Sequence, residues 1–249
     1  MKRILVASDL SIRSDRAVTR AVRLAARLGL ELTVLHVVDD AMPSGLAEKV
    51  SAEAKVGLDR FVASIAGADS VAPHIISVIG DPVHTIQSVV AERDADLLVL
   101  GVHRARAFFD VIRETTMERL VRTSAKPTML VADTGDHDFD KVLAAVDMSP
   151  GCARAIKAAY ALVPTAEFSL VHALHIPFKG LTGDAGSVRR MQPYIDEADR
   201  EVDDWIARCA IPEGIARPQI AEGTPFEVLG RTMAQSRPDL LVLGVHSRA

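Results

Sequence analysis

Cysteine is scarce in this chain of 249 residues, and its two copies, Cys152 and Cys209, have no Cys-x-x-Cys spacing. Neither a disulfide framework nor a cysteine-built zinc site is expected. Aromatic residues make up 4% of the chain, so Val, Leu, Ile and Ala must build the core. No apolar run reaches the ~18–20 residues of a membrane-spanning helix. The opening stretch, Met1 to Ser8, meets Asp9 too early for a secretory signal. A cytoplasmic location without membrane attachment is the resulting expectation. A basic excess is missing too: 29 Lys and Arg against 33 Asp and Glu leave a net charge of -4, which offers no electrostatic footprint for nucleic acid. Walker A, nucleophile-elbow, Gly-x-Gly-x-x-Gly and zinc-protease patterns are all absent, and no catalytic nucleophile is nominated.

What the chain does have is itself, twice. Asp96-Leu97-Leu98-Val99-Leu100-Gly101-Val102-His103 recurs as Asp239-Leu240-Leu241-Val242-Leu243-Gly244-Val245-His246. Ile4 to Ser11 is answered by Val142 to Ser149, Leu35-His36 by Val171-His172, and Gly80-Asp81-Pro82 by Gly223-Thr224-Pro225. The offset of about 140 residues is the size of a whole domain rather than of a solenoid repeat. Two domains are expected, 1–134 and 139–249, joined by the polar, turn-rich stretch Asp133 to Asp138.

Within the first domain, short β-branched or apolar runs alternate with stretches of helical periodicity. Strands are expected over Arg3–Ser8, Glu31–Val38, Pro73–Ile79, Asp96–Gly101 and Pro127–Ala132. Between them, helices run from about Ser14 to Leu28 with Gly29 as a stop, from Leu46 to Ala66, from Asp81-Pro82 to about Arg93, and from Thr115 to Thr123. The second half repeats the plan, with strands at Lys141, Glu167–Ala173, Ile215–Ala221 and Asp239–Gly244, and helices near Cys152–Leu162, Val188–Cys209 and from Pro225. As given, it carries no counterpart of the first half's last helix and strand. Alternating strands and helices imply parallel, doubly wound α/β sheets covered on both faces.

Ligands of such sheets bind beyond the carboxyl ends of the strands, at the switch in winding direction. Asp9, Val38, Asp39 and Gly101 stand at such ends, as do Asp147, Leu174 and Gly244 in the second half. The histidines His36 and His172 lie inside apolar strands, where a core or interface role outweighs metal ligation, and no metal site is expected.

Taken together, these motifs make the chain resemble a tandem universal stress protein, and Thr115 to Arg119 with Lys126 to Val131 match that family's end. The resemblance implies a strand order 3-2-1-4-5 in each domain, with the switch beside Asp9 and Gly101. It also implies adenine-nucleotide binding where a Gly-x-x-Gly loop, nine residues, and Gly-Ser or Gly-Thr open the fourth helix, since small residues let N–H groups reach phosphate. Here Gly101 matches the first Gly, Arg104 replaces the second, Glu114 replaces the third and Thr115 matches the hydroxyl residue. Two like charges at ~4 Å cost roughly 1–4 kcal/mol, so Glu114 opposes a phosphate. Arg104, Arg106 or Arg113 would offset it. In the second half, Ser247 takes the second Gly position and the motif goes no further.

Two functions remain open on this reading. The first is a stress-response binding or adaptor protein without turnover, acting as a homodimer through the exposed edge near Thr128 to Ala132 and on a further protein partner. The alternative is an adenine-nucleotide sensor, or very slow ATPase, binding ATP or AMP with Mg. It would use Asp9, Val38, Gly101, His103, Arg104, Thr115 and Thr116, with a weaker second crevice at Asp147, Gly244 and His246. Thr115 also has a structural role open to it, as the Thr-x-x-Glu cap of its helix. The loop Ile176 to Leu181, carrying Phe178, is a further candidate for ligand or partner contact.

Overall fold

The computed structural model describes residues 1–102, 115–134, 137–174 and 187–245. It divides into two compact units, Met1–His137 and Asp138–Ala249.

Unit 1 runs β1 (Arg3–Ser8), α1 (Ile12–Leu28), β2 (Glu31–Val38), α2 (Ser44–Ala63), α3 (Ala68–Val71), β3 (His74–Ile79), α4 (Pro82–Glu92), β4 (Leu97–Gly101), α5 (Thr116–Thr123) and β5 (Thr128–Val131). The strands form one parallel sheet in the order β3-β2-β1-β4-β5. Register is fixed by apolar runs that are buried on both faces: Leu5 pairs with Thr33 and Leu98, and Leu100 with Leu130. Helices α1 and α2 lie together against the sheet, while α4 and α5 form the second layer. Under α4 and α5, Leu5, Leu35, Val83, Ile86, Val90, Leu98, Leu100 and Leu120 make one buried cluster.

The helix ends follow from local chemistry. Ser11 caps α1 through its side chain, and Gly29 closes the helix at a φ of 64°. Asp81 caps α4 with Pro82 at its start. The segment after β5 is tied back to α1, because buried Arg20 reaches Asp133 Oδ1 at 3.2 Å and donates to the His137 carbonyl. The short α3 was not expected from periodicity, which a helix of four residues cannot display.

Unit 2 runs β6 (Lys141–Ala145), α6 (Pro150–Leu162), β7 (Glu167–Leu174), α7 (Ser187–Cys209), β8 (Gln219–Glu222), α8 (Pro225–Ser236) and β9 (Leu240–Leu243). Its parallel sheet has the order β8-β7-β6-β9, which is the unit 1 order without a fifth strand among the described residues. One strand departs from expectation. It begins at Gln219 rather than Ile215, because Ile215 N–H closes a turn onto the Pro212 carbonyl and its buried side chain serves the core from that turn. The α8 face is built on Leu143, Val171 and Val228, with Leu229 and Leu241 half-buried beside them.

Candidate functional site

The carboxyl ends of β1 and β4 meet at the switch in winding direction, where β1 leads to α1 on one side and β4 begins the other half of the sheet. The turn leaving β1 is tight. Asp9 Oδ1 accepts the Ser11 N–H at 3.0 Å, and Leu10 sits at a φ of 61°, in the left-handed region. Unit 2 repeats this device: Asp147 Oδ1 accepts the Ser149 N–H at 2.9 Å and Met148 has a φ of 60°. Left-handed backbone costs a non-glycine residue roughly 1–2 kcal/mol, so each turn is held against strain by its own aspartate. Burial pushes the Asp9 carboxyl up, but hydrogen bonds from the Ser11 and Ser14 side chains and the Ser11 N–H outweigh it. Together they hold the group below the usual carboxylate value.

Beneath the turn lies a hydroxyl chain that sequence reading missed. Buried Ser8 donates to Ser14 Oγ at 3.0 Å, Ser14 donates to the Ser11 carbonyl at 2.9 Å, and Ser8 Oγ accepts the Leu10 N–H. The signal was available in the repeat, because Val146 and Cys152 stand at these two positions in unit 2. There the Cys152 thiol points at the Ala145 carbonyl, and burial pushes its pKa up to about 11. It stays protonated and unreactive at neutral pH.

Gly101 closes the other side of the switch. A Cβ on it would lie 2.6 Å from the Arg13 carbonyl oxygen, so glycine is what lets β4 run directly under the first turn of α1. Gly244 does the same beneath α6, where a Cβ would meet the Cys152 N at 2.7 Å. Both glycines therefore have a packing reason for recurring. Val38 is buried at the end of β2, and its carbonyl accepts the Gly80 N–H at 2.9 Å.

At the start of α5, Thr115 and Glu118 form a reciprocal cap: Thr115 Oγ1 accepts the Glu118 N–H at 3.2 Å, and Glu118 Oε2 accepts the Thr115 N–H at 2.8 Å. Thr116 is the first residue of the helix. Thr224 and Glu227 build the same cap on α8. His36 and His172 are also explained by the fold, since each ring donates from Nδ1 to the last carbonyl before the aspartate turn, Ser8 O and Val146 O, both at 2.8 Å. Carbonyl oxygen only accepts, which fixes the proton on Nδ1.

The structure thus brings Asp9 and Gly101 to one end of the unit 1 sheet, and Asp147 and Gly244 to the matching end of unit 2. The latter two line a cavity of about 200 Å³ with His172, Val228, Leu229 and Leu243. His103, Arg104, Glu114 and His246, and the loop Ile176 to Leu181, lie outside the described residues. Among the described residues no three of His, Cys, Asp and Glu converge as a metal site, and no helix is long and apolar enough to cross a membrane.

A doubly wound α/β sheet in each unit, with a cavity at the switch of unit 2, defines a class, and comparison gives it a family. The model of the universal stress protein family matches residues 1–132 and again 138–249. The chain belongs to the universal stress protein family, with two such domains in tandem. It is 33% identical over 111 residues to universal stress protein A homolog 1 of Coxiella burnetii, covering 41% of this chain and 76% of that protein. The universal stress protein A homolog of Haemophilus influenzae is 29% identical over 146 residues, covering 55% of this chain and 99% of that one. A universal stress protein structure from Archaeoglobus fulgidus shares the fold with a TM-score of 0.65 at 19% identity, covering 96% of this chain and 85% of that chain.

Proposed function

We propose that this universal stress protein works as a non-catalytic binding or adaptor protein, and that its first crevice does not hold a nucleotide triphosphate in the manner of a phosphate loop. One observation carries the reading. The N-terminus of α5, where a phosphate would receive free N–H groups and the positive end of the helix dipole, is capped by the chain's own Glu118 carboxylate at 2.8 Å. A phosphate would have to displace that carboxylate and lie beside it. The sequence adds Glu114 and Arg104 at positions where the nucleotide-binding pattern has glycine.

Titration calorimetry with ATP and with AMP, in the presence of Mg and after removal of any copurified ligand, tests this directly. No heat is expected up to ~1 mM nucleotide, an affinity weaker than about −4 kcal/mol. Micromolar binding near one site per chain would overturn the reading and establish the sensor alternative, with Asp9, Val38 and Thr115 in the crevice. A large gain on Glu114→Gly from an undetectable baseline would mark a lapsed site.

On the same reading the protein acts in the cytoplasm on a protein partner, and as a homodimer. Among the described residues β5 is an edge strand of its sheet, paired only with β4, and Leu130 is exposed. Such an edge offers unpaired backbone groups to a second strand. Light scattering at micromolar concentration should give the mass of a dimer; a monomer would remove this part of the proposal.

A further inference from the structure

Helix α1 carries its positive charge on one side. Arg13, Arg16, Arg20, Arg23 and Arg27 follow one another at steps of three or four residues. At about 100° per residue they fall within an arc of roughly 80°, and at 1.5 Å per residue they run for about 21 Å. By the same count Asp15, the one acid of the helix, stands about 80° outside that arc. The fold does not require this stripe. In the repeat, the matching positions on α6 are Gly151, Arg154, Ala158 and Ala161, and the fifth, Thr165, lies past the end of that helix.

Part of the stripe is occupied by the chain itself, which shows what it holds. Arg16 donates to the Ala132 carbonyl at 3.2 Å. Arg20, only 3% exposed, reaches Asp133 Oδ1 at 3.2 Å and donates to the His137 carbonyl. All of these groups belong to unit 1. The segment held in this way, Asp133 to Asp138, contains three aspartates and no Lys or Arg. Successive arginines thus take a carboxylate and backbone carbonyls from an acidic segment, through charge-assisted hydrogen bonds.

Further along the helix, Arg23 and Arg27 are exposed. Their step of four residues is a rise of about 6 Å, close to the ~6.6 Å between alternate residues of an extended chain. An acid at every second residue of such a chain therefore meets an arginine at each turn of α1. The helix has no aromatic residue on which a nucleic-acid base could stack, so the pattern favours a polypeptide.

We propose that the exposed end of this stripe docks an extended acidic segment of a partner protein, with Asp or Glu at alternate positions, held as the chain's own linker is held. The proposal rests on the adaptor reading and names the chemistry of the partner. Nucleotide titration decides that reading, whereas peptide binding to α1 decides this one.

The test titrates the full chain into a fluorescein-labelled decapeptide of alternating Glu and Ser, followed by anisotropy. Saturable binding is expected, weakening several-fold between about 50 and 300 mM salt as exposed charges are screened. Arg23→Glu combined with Arg27→Gln should weaken it by roughly tenfold or more. Both side chains are exposed, so the fold should survive, and an unchanged circular dichroism spectrum verifies that. Arg154→Glu, a charge reversal at the exposed counterpart of Arg16 on α6, should change binding less than about twofold. No saturable binding, or binding that Arg154→Glu weakens as much as the double substitution does, overturns the proposal. So does tighter binding of an oligothymidylate of equal charge, or a dimer of the free chain that the double substitution dissociates. In those cases a nucleic acid or a second copy would be what the stripe holds.

Discussion

Gly101 and Gly244 show that a residue type read as ligand chemistry also has a packing reason. In both units the glycine stands against helix backbone. Backbone cannot rotate aside as a long side chain can. Gly101→Ala is therefore expected to cost about 1–3 kcal/mol through overpacking, measured as a lower midpoint in urea with an unchanged slope. A loss below ~0.5 kcal/mol, the level of an ordinary surface change, would show that the close approach relaxes freely. Asp9 makes a second residue-scale prediction. Its folded pKa lies below the ordinary carboxylate value of 3.8, so its contribution is complete above that value and is lost as pH falls through the folded pKa. Asp9→Asn should be the less stable protein at neutral pH, and the two stability curves should converge below about pH 3.8. A constant offset across the acid range would mean that the charge contributes nothing beyond the turn geometry.

Elements were legible where their signal is local. β1 and β2 were bounded correctly because an apolar run ends at a polar residue in each, and the end of α1 because Gly29 marks it, whereas its start was placed at about Ser14 and lies at Ile12, behind the Ser11 cap. Thr115-x-x-Glu118 was readable as a cap from spacing alone, and the reciprocal bonds bear that out. The rest is tertiary. Nothing adjacent in sequence says that Ser8 will meet Ser14, that Gly101 will lie under Arg13, or that Ile215 will serve the core from a turn. The candidate site was thus located by topology, while the reasons its residues recur came only from packing. At this scale, α5 is the element to test. Thr115→Ala should cost about 1 kcal/mol by removing the cap, and Leu120→Ala about 2–5 kcal/mol by emptying a buried socket. Equal, small losses from both would mean that α5 is held by neither.

Across the whole molecule, the two units carry one architecture with unequal cores. Unit 1 buries Val83, Ile86, Val90, Leu100 and Leu120 in a continuous cluster beneath α4 and α5, whereas the unit 2 counterparts of the first four are half-buried or exposed and α8 rests on Leu143, Val171 and Val228. Burying an apolar side chain of this size contributes roughly 1.5–3 kcal/mol, so several such differences are a sizeable fraction of the marginal stability of a domain, about 5–15 kcal/mol. Unit 2 is expected to unfold first, and the full chain to depart from two-state behaviour. Trp205, in α7, reports unit 2 alone. Its fluorescence midpoint in urea should therefore fall below the midpoint of the helical circular dichroism signal. Leu120→Ala should lower the circular dichroism midpoint and leave the Trp205 transition where it was. Coincident transitions that move together in the variant would show that the units melt as one cooperative body, and that the more exposed apolar residues of unit 2 do not limit its stability.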